Sequence, residues 1–222
     1  MPLKLTKKVL RKTSNPVSLQ IKKRQTLTKS TIPLELLNLA RKNPSFRKMT
    51  IGCNYFREHT IDAIRNAIQL KHRLPKKLQH AFVATMIVHD VGKMRAMSPE
   101  GKREMQQEYT VDILKKTKIL ESLGINSNEK KLVLALVESD SIGLFLQQKI
   151  NFAQAIKQIK DSAQKSQIPF KQFVSMLELF YICDVGAHES LRGRLINQEW
   201  KIAAPDYSEL KKRLLNLKWK NS

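Results

Sequence analysis

The fold is decided by an almost uninterrupted apolar stretch at residues 76–93, which reads KKLQHAFVATMIVHDVGK. By periodicity alone this stretch is compatible with a buried strand. Its length, together with Leu78 and Phe82 one helical turn apart, favours a buried helix that ends near Gly92. A helix that is apolar nearly all round belongs in the centre of a helical protein.

Four polar residues are placed where apolar residues are expected. His89 and Asp90 follow directly on the apolar helix. Asp184 is embedded in the mostly apolar run 177–185, and His59 lies beside the apolar stripe of an earlier helix. Since an unpaired charge in a core costs several kcal/mol, the His-Asp pair requires a cation or a charged partner.

The rest of the chain also predicts helices, and the sparse Gly (7) and Pro (8) agree with that. Ser127 is the expected N-cap of one of them, without a full capping box. We therefore predict an all-α protein with a basic N-terminal extension. The further stretches with helical periodicity are 32–42, 57–74, 98–120, 127–140, 142–165, 170–196 and 208–220.

The charge is strongly positive: 41 Lys and Arg stand against 19 Asp and Glu, a formal net charge of +22 at pH 7. Such a chain is attracted to phosphates in nucleic acids, nucleotides or lipids, although a basic composition does not require a polyanionic partner. Residues 1–31 hold nine Lys or Arg and no acidic residue. We expect a flexible basic arm there; an organelle transit peptide or a short strap over the domain are the alternatives.

Two cysteines, Cys53 and Cys183, do not make a disulfide framework and favour a reducing compartment. No apolar stretch approaches the roughly 18 residues of a membrane span. We expect a cytoplasmic protein without a transmembrane segment; export to another compartment, with residues 1–31 as the address, is the minority alternative.

The order of the polar residues resembles the HD-domain superfamily of metal-dependent phosphohydrolases. His59 in REHTIDAI matches the first histidine, His89 and Asp90 in HDVGK match the doublet, and Asp184 in CDVGA matches the late aspartate. The resemblance covers about residues 50–195. It implies that residues 32–222 form a helical HD domain in which these four side chains hold one metal ion.

Two imidazoles and two carboxylates suit Mn, Fe, Co, Ni or Zn, and suit Mg less well. Members with two metals carry further histidines, where this chain offers Tyr109, Glu138 and Asp140. We therefore expect a single ion; a second site rebuilt from carboxylates is the alternative. His188 lies one turn after Asp184, and an exposed position is slightly favoured over one near the metal.

The resemblance implies hydrolysis of a phosphate ester or phosphodiester, as in a nucleotide, by a metal-activated water. Lys93 is expected to contact the substrate phosphate, or to complement a helix dipole. Arg57 is a candidate phosphate clamp or a surface ion-pair partner. Glu138 and Asp140 are candidates for a general acid or base or for supporting the metal ligands, or they lie at a solvated helix end.

A binding module is the competing hypothesis. In it the fold has lost turnover and uses its basic surface and arm to bind RNA, another polyanion or a protein. The four ligands argue against complete loss, because buried carboxylates without an ion would be costly.

Overall fold

The structure is a computed structural model that describes Lys42 and residues 54–217, with the backbone alone for residues 54–57. Within residues 54–217 the chain forms eleven α-helices, two 3₁₀ turns and no β-strand, so the predicted all-α class is confirmed. The predicted arm at residues 1–31 lies outside the described residues. So does the predicted helix at residues 32–42, except for Lys42, which is helical.

The α-helices are numbered in chain order. They are α1 Asn54–Leu70, α2 Lys76–Val88, α3 Lys93–Ala96, α4 Gln106–Lys116, α5 Ile119–Ser122, α6 Ser127–Glu138, α7 Ser141–Leu146, α8 Phe152–Ser166, α9 Phe170–Gly186, α10 Glu189–Leu195 and α11 Pro205–Asn216. The 3₁₀ turns are Lys71–Arg73 and Arg103–Met105, and an isolated bridge joins Ile196 to Ile202.

Two apolar helices, α2 and α9, form the centre of the bundle. Eight of the thirteen residues of α2 and ten of the seventeen of α9 are buried, so neither helix has a wide solvent face. Helix α1 packs against both, and α6 packs against α2, α4 and α8. Phe82 of α2 and Phe173 of α9 are fully buried. Burial of each such side chain stabilises the fold by roughly 1.5–3 kcal/mol.

The predicted buried helix at residues 76–93 is shorter than expected. Helix α2 ends at Val88, and residues 89–92 form turns before α3 begins at Lys93. A β-carbon at Gly92 would lie 2.4 Å from the backbone nitrogen of Thr110 and 2.8 Å from the carbonyl oxygen of Gln106. Glycine is thus required here because the turn packs directly on the backbone of α4.

The helix predicted over residues 170–196 is interrupted. Helix α9 ends at Gly186, His188 is extended, and α10 starts at Glu189. A β-carbon at Gly186 would lie 2.7 Å from Cζ3 of Trp200, so the glycine allows the indole to pack on the helix end. The break separates the helix carrying Asp184 from α10.

The expected N-cap of α6 is wrong by one residue. Asn126, not Ser127, accepts hydrogen bonds from the backbone N–H groups of Asn128 and Glu129 through its side chain. The Glu129 carboxylate in turn accepts from the Asn126 N–H at 3.0 Å, which completes a capping box.

None of the helices in the described part of the chain is long and apolar enough to cross a membrane.

Candidate metal centre

Four side chains from three distant segments meet where α1, α2 and α9 converge. Nε2 of His59 lies 2.9 Å from Oδ1 of Asp184 and 3.4 Å from Nε2 of His89. Nε2 of His89 lies 3.2 Å from the same Asp184 oxygen. Oδ2 of Asp90 lies 3.6 Å from the His59 Nε2 and 3.7 Å from the His89 Nε2. The structure therefore brings together all four side chains that the resemblance implied as ligands.

The end of α2 orients His89. Its Nδ1–H donates to the carbonyl oxygen of Met86, 2.8 Å away on the preceding helical turn. This bond leaves Nε2 facing the cluster, and in the neutral imidazole that nitrogen carries the lone pair. Phe180 of α9 meets the ring edge-on at 5.9 Å between centroids. A histidine fixed in this way is preorganised as a metal ligand.

Asp90 is held in the turn after α2 by contacts on both oxygens. Lys93 Nζ lies 2.9 Å from Oδ2, and the side-chain amide of Gln106 donates to Oδ1 at 2.8 Å. The backbone N–H of Gly92 donates to the Thr110 hydroxyl at 3.1 Å, which fixes the turn against α4. The HDVGK sequence thus places the Asp90 carboxylate at the cluster and also supplies Lys93, the cation that pairs with it.

His59 is buried in α1 with Nε2 toward the cluster. Its Nδ1 is buried too, and no residue in the described part of the chain makes a hydrogen bond to it. The ring of His188 stacks on the His59 ring, with centroids 4.1 Å apart and 24° between the planes. His188 is partly buried, so the preference for an exposed position was wrong.

His188 is the site residue that the sequence indicated least clearly. Its ligand atoms fall within 4.8 Å of those of His59 and Asp184, a second possible ligand triad beside His59, His89 and Asp90. The four-residue spacing from Asp184 was the available signal. The break after α9 decides where His188 lies, and that break could not be located from periodicity.

The protonation states of the cluster residues are set by the charges of the neighbouring side chains. Burial lowers the pKa of His89, but the carboxylates of Asp90 and Asp184 outweigh burial and raise it to about 9. Burial raises the pKa of Asp184, yet hydrogen bonds from His59 and His89 hold it well below its usual range. Burial also raises the pKa of Asp90, but the positive charges of His89 and Lys93 outweigh burial and lower it. Both carboxylates are therefore anionic at neutral pH.

The donor set fits a metal ion. The Nε2 atoms of the two imidazoles lie 3.4 Å apart and 2.9–3.7 Å from one oxygen of each of the two carboxylates, and His59, His89 and Asp90 are buried. Two neighbouring carboxylates, of which Asp90 is buried and Asp184 partly exposed, require positive charge, which a divalent cation would supply. His59, His89, Asp90, Asp184 and His188 could hold such an ion, and the arrangement is compatible with an HD-type site.

The cluster opens into a cavity of about 720 Å³, large enough for an organic molecule. Asp184, whose side chain is 33% exposed, faces this opening, whereas the His89 and Asp90 side chains are almost completely covered. The apolar side chains of the lining include Val137, Ile142, Leu146, Leu177, Phe180, Leu191 and Leu195. Polar lining comes from Lys93, Gln106, Gln107, Asp140, Gln147 and Arg194.

Asp140 lies in the cavity wall between α6 and α7. Burial, aided by the negative charge of Asp184, raises the pKa of Asp140 to about 6, and Lys149 opposes the shift. A β-carbon at Gly143 would lie 2.3 Å from Oδ1 of Asp140, so glycine makes room for the carboxyl group. A carboxyl group with this pKa can donate or accept a proton near neutral pH.

Three other candidates from the sequence have different positions. Lys93 lines the cavity beside Asp90. Glu138 is exposed, pairs with Lys165 at 2.9 Å and does not line this cavity. Arg57 lies within α1, but its side chain falls outside the described part. Of the two acidic candidates, the structure brings only Asp140 to the cavity.

Cys183 is fully buried next to Asp184, and burial raises the pKa of its thiol. A reactive thiolate is therefore disfavoured, and burial favours a packing role for this side chain. Comparison with protein-family models, curated proteins and solved structures finds no significant match to this chain.

Proposed function

We propose that this chain is a member of the HD superfamily and a metal-dependent phosphohydrolase or phosphodiesterase acting on a nucleotide or another phosphate ester. The observation that carries the proposal is the convergence of His59, His89, Asp90 and Asp184 at one end of a cavity of about 720 Å³. Such a site can position an ion and admit an organic phosphate.

The charges of the cavity support an anionic substrate once a metal is bound. The carboxyl groups of the cavity are Asp90, Asp140 and Asp184, and its cations are Lys93, Arg194 and, with a pKa of about 9, the His89 of the metal-free protein. These charges nearly balance. A divalent ion that displaces the His89 proton would make the cavity net positive and more attractive to phosphate.

In the proposed reaction, the side chains that line the cavity have different roles. Held by His59, His89, Asp90 and Asp184, a divalent ion would supply Lewis acidity and would lower the pKa of the attacking water. Lys93, at 2.9 Å from Asp90, orients that carboxylate and places positive charge beside the phosphoryl group. Asp140, with its pKa raised to about 6, donates a proton to the leaving oxygen. The apolar wall holds the organic part of the ester.

The test is hydrolysis by metal-depleted protein supplied in turn with Mn, Co, Ni, Zn or Mg. Substrates are para-nitrophenyl phosphate, bis-para-nitrophenyl phosphate and a panel of nucleotides. We expect turnover with at least one of the first four ions and loss of at least about 100-fold in Asp90→Asn, since ligand loss exceeds the 10–100-fold cost of altering supporting residues. Asp62→Asn is the matched control: Asp62 lies on the exposed side of α1 and pairs with Arg65.

A binding module without turnover is the second candidate, favoured by the net charge of +22. Metal uptake without hydrolysis of any substrate, together with salt-sensitive RNA binding unaffected by Asp90→Asn, would support it and contradict the enzyme.

A further inference from the structure

Helix α10 forms a wall of the cavity although none of its own residues is buried. His188 at its N-cap stacks on His59, which ties the start of the helix to the metal cluster. Leu191, Arg194 and Leu195 line the cavity farther along. An exposed helix that turns two leucines and an arginine toward a cavity is arranged to contact what enters that cavity.

Two arginines of α10 have different surroundings. The Arg192 guanidinium lies 4.4 Å from the centroid of the Trp200 ring, on the side of the helix away from the cavity lining. Arg194 lines the cavity, is exposed, and has no ion pair with any residue in the described part of the chain. The two residues are about 200° apart around the helix, so they serve as a matched pair.

The two carboxylates of the metal cluster are engaged away from Arg194. Asp90 contacts Lys93 and Gln106, and Asp184 contacts His59 and His89. Within the described part of the chain, Asp140, the third carboxyl group of the cavity, makes no ion pair with Arg194. The Arg194 guanidinium therefore keeps its positive charge available inside the cavity. Planar guanidinium groups bind phosphate or carboxylate through two parallel hydrogen bonds.

Arg194 lies farther along α10 than His188, which stacks on the cluster residue His59. Six residues separate the two, a rise of about 9 Å along the helix at 1.5 Å per residue. This offset gives Arg194 a position from which it can meet a second group of a molecule whose first group lies at the cluster. Leu191 and Leu195 line the wall of the same helix, which suits an organic connector.

We propose that Arg194 binds a second anionic group of the substrate, so that the site selects esters carrying two anionic groups separated by an organic scaffold. This inference rests on the proposed function of the same cavity and adds a specificity-determining residue to it. The first anion lies at the metal cluster, the second at Arg194, and the scaffold lies along the apolar wall.

The test measures binding to the full-length, Mn-loaded protein by calorimetry. Two probe pairs sample two spacings: adenosine 5′-monophosphate against adenosine 3′,5′-bisphosphate, and fructose 6-phosphate against fructose 1,6-bisphosphate. In at least one pair we expect the bisphosphate to bind about 10-fold tighter or more, the range of one charge-assisted contact. Arg194→Gln should reduce that preference to about 2-fold or less. Arg194→Lys should keep part of it, and Arg192→Gln should keep all of it.

The outcomes separate this inference from the proposed function. Bisphosphate selectivity that depends on Arg194, without hydrolysis, would overturn the enzyme and keep the anion site. Hydrolysis with equal affinities in both pairs would overturn the role of Arg194 alone. A preference that survives in Arg194→Gln, or no binding of any probe, would also overturn that role.

Discussion

The two ends of the cavity are built in opposite ways. At the cluster end, His89, Asp90 and His59 are buried, and Asp90 contacts a partner through each of its oxygens. At the other end, helix α10 buries none of its residues, and Arg194 is exposed. The cluster end is fixed by packing before any ligand arrives, and the α10 end is held by far fewer contacts.

This difference indicates that the two ends of the cavity have different functions. A metal site needs donors held within a few tenths of an ångström, so rigid buried elements suit it. Substrate selection needs contacts that admit, bind and release a molecule, and weakly packed elements are the ones that open locally. We expect substitutions at the cluster end to change metal affinity and global stability, and those on α10 to change selectivity.

The largest effect is expected from Asp184→Asn, which removes one anionic donor while keeping the shape of the side chain. His59 and His89 then lose the oxygen that lies 2.9 and 3.2 Å from their Nε2 atoms. Mn or Zn affinity should fall by more than about 100-fold. Competitive titration with a chelating dye measures it. Asp161→Asn on α8 is the control, and an unchanged affinity in Asp184→Asn would place the ion elsewhere.

A smaller effect is expected from Gly92→Ala at the cluster end. The added methyl group would meet the Thr110 nitrogen at 2.4 Å and the Gln106 oxygen at 2.8 Å, and both are backbone atoms that cannot rotate away. The free energy of unfolding should fall by roughly 1–3 kcal/mol, the usual cost of overpacking. Urea denaturation measures it, and metal affinity should fall too because the turn carries Asp90. A variant as stable as the parent would show that the turn is not packed on α4.

Next in size is the effect of Asp140 on stability as a function of pH. The folded protein holds a proton on Asp140 up to about pH 6, whereas the unfolded chain releases it near pH 3.8, the ordinary pKa of an aspartate side chain. Stability from this group is therefore fully present below about pH 4 and is lost as pH rises through 6. At pH 8, Asp140→Asn should be more stable than the parent by about 1–2 kcal/mol, a value reduced for the partial exposure of the site.

The measurement for Asp140 is urea denaturation of both proteins at pH 4 and pH 8. The two should be nearly equally stable at pH 4. A constant difference between the pH values would assign the effect to packing rather than to proton binding. In enzyme assays, loss of activity above about pH 6 should be present in the parent and absent in the variant, if Asp140 donates the proton.

Much of the cluster end could be predicted from sequence because charge in an apolar setting is rare. His89 and Asp90 after α2, and Asp184 inside α9, stand out for that reason. The all-α class followed from helical periodicity. The N-cap of α6 could not be predicted to the residue. Asn126 and Ser127 are adjacent and both are good N-caps, so only the exact start of the helix decides between them.

The α10 end could not be predicted. The local break after Gly186 places His188, and no periodicity locates it. Glu138 and Asp140 are equivalent candidates in sequence, and the end of α6 at Glu138 decides that only Asp140 faces the cavity. In the sequence, Arg194 looks like any exposed arginine on a short helix. Its proposed role can be inferred only from the cavity that it lines in the folded chain.

The smallest effect, and of the opposite sign to that at Gly92, is expected from Gly193→Ala in α10. A β-carbon at Gly193 would have no atom within 4 Å, so the methyl group costs nothing in packing and restricts the unfolded chain. The helix should gain about 0.5–1 kcal/mol. Backbone amides of α10 that exchange through local opening should then exchange with solvent about 2–5-fold more slowly, and the free energy of global unfolding should rise by the same amount. Hydrogen exchange read by NMR measures both, with amides of α2 as the internal reference. Faster exchange in α10 would mean that this wall is packed against a surface like that at the cluster end, and the contrast between the two ends would fail.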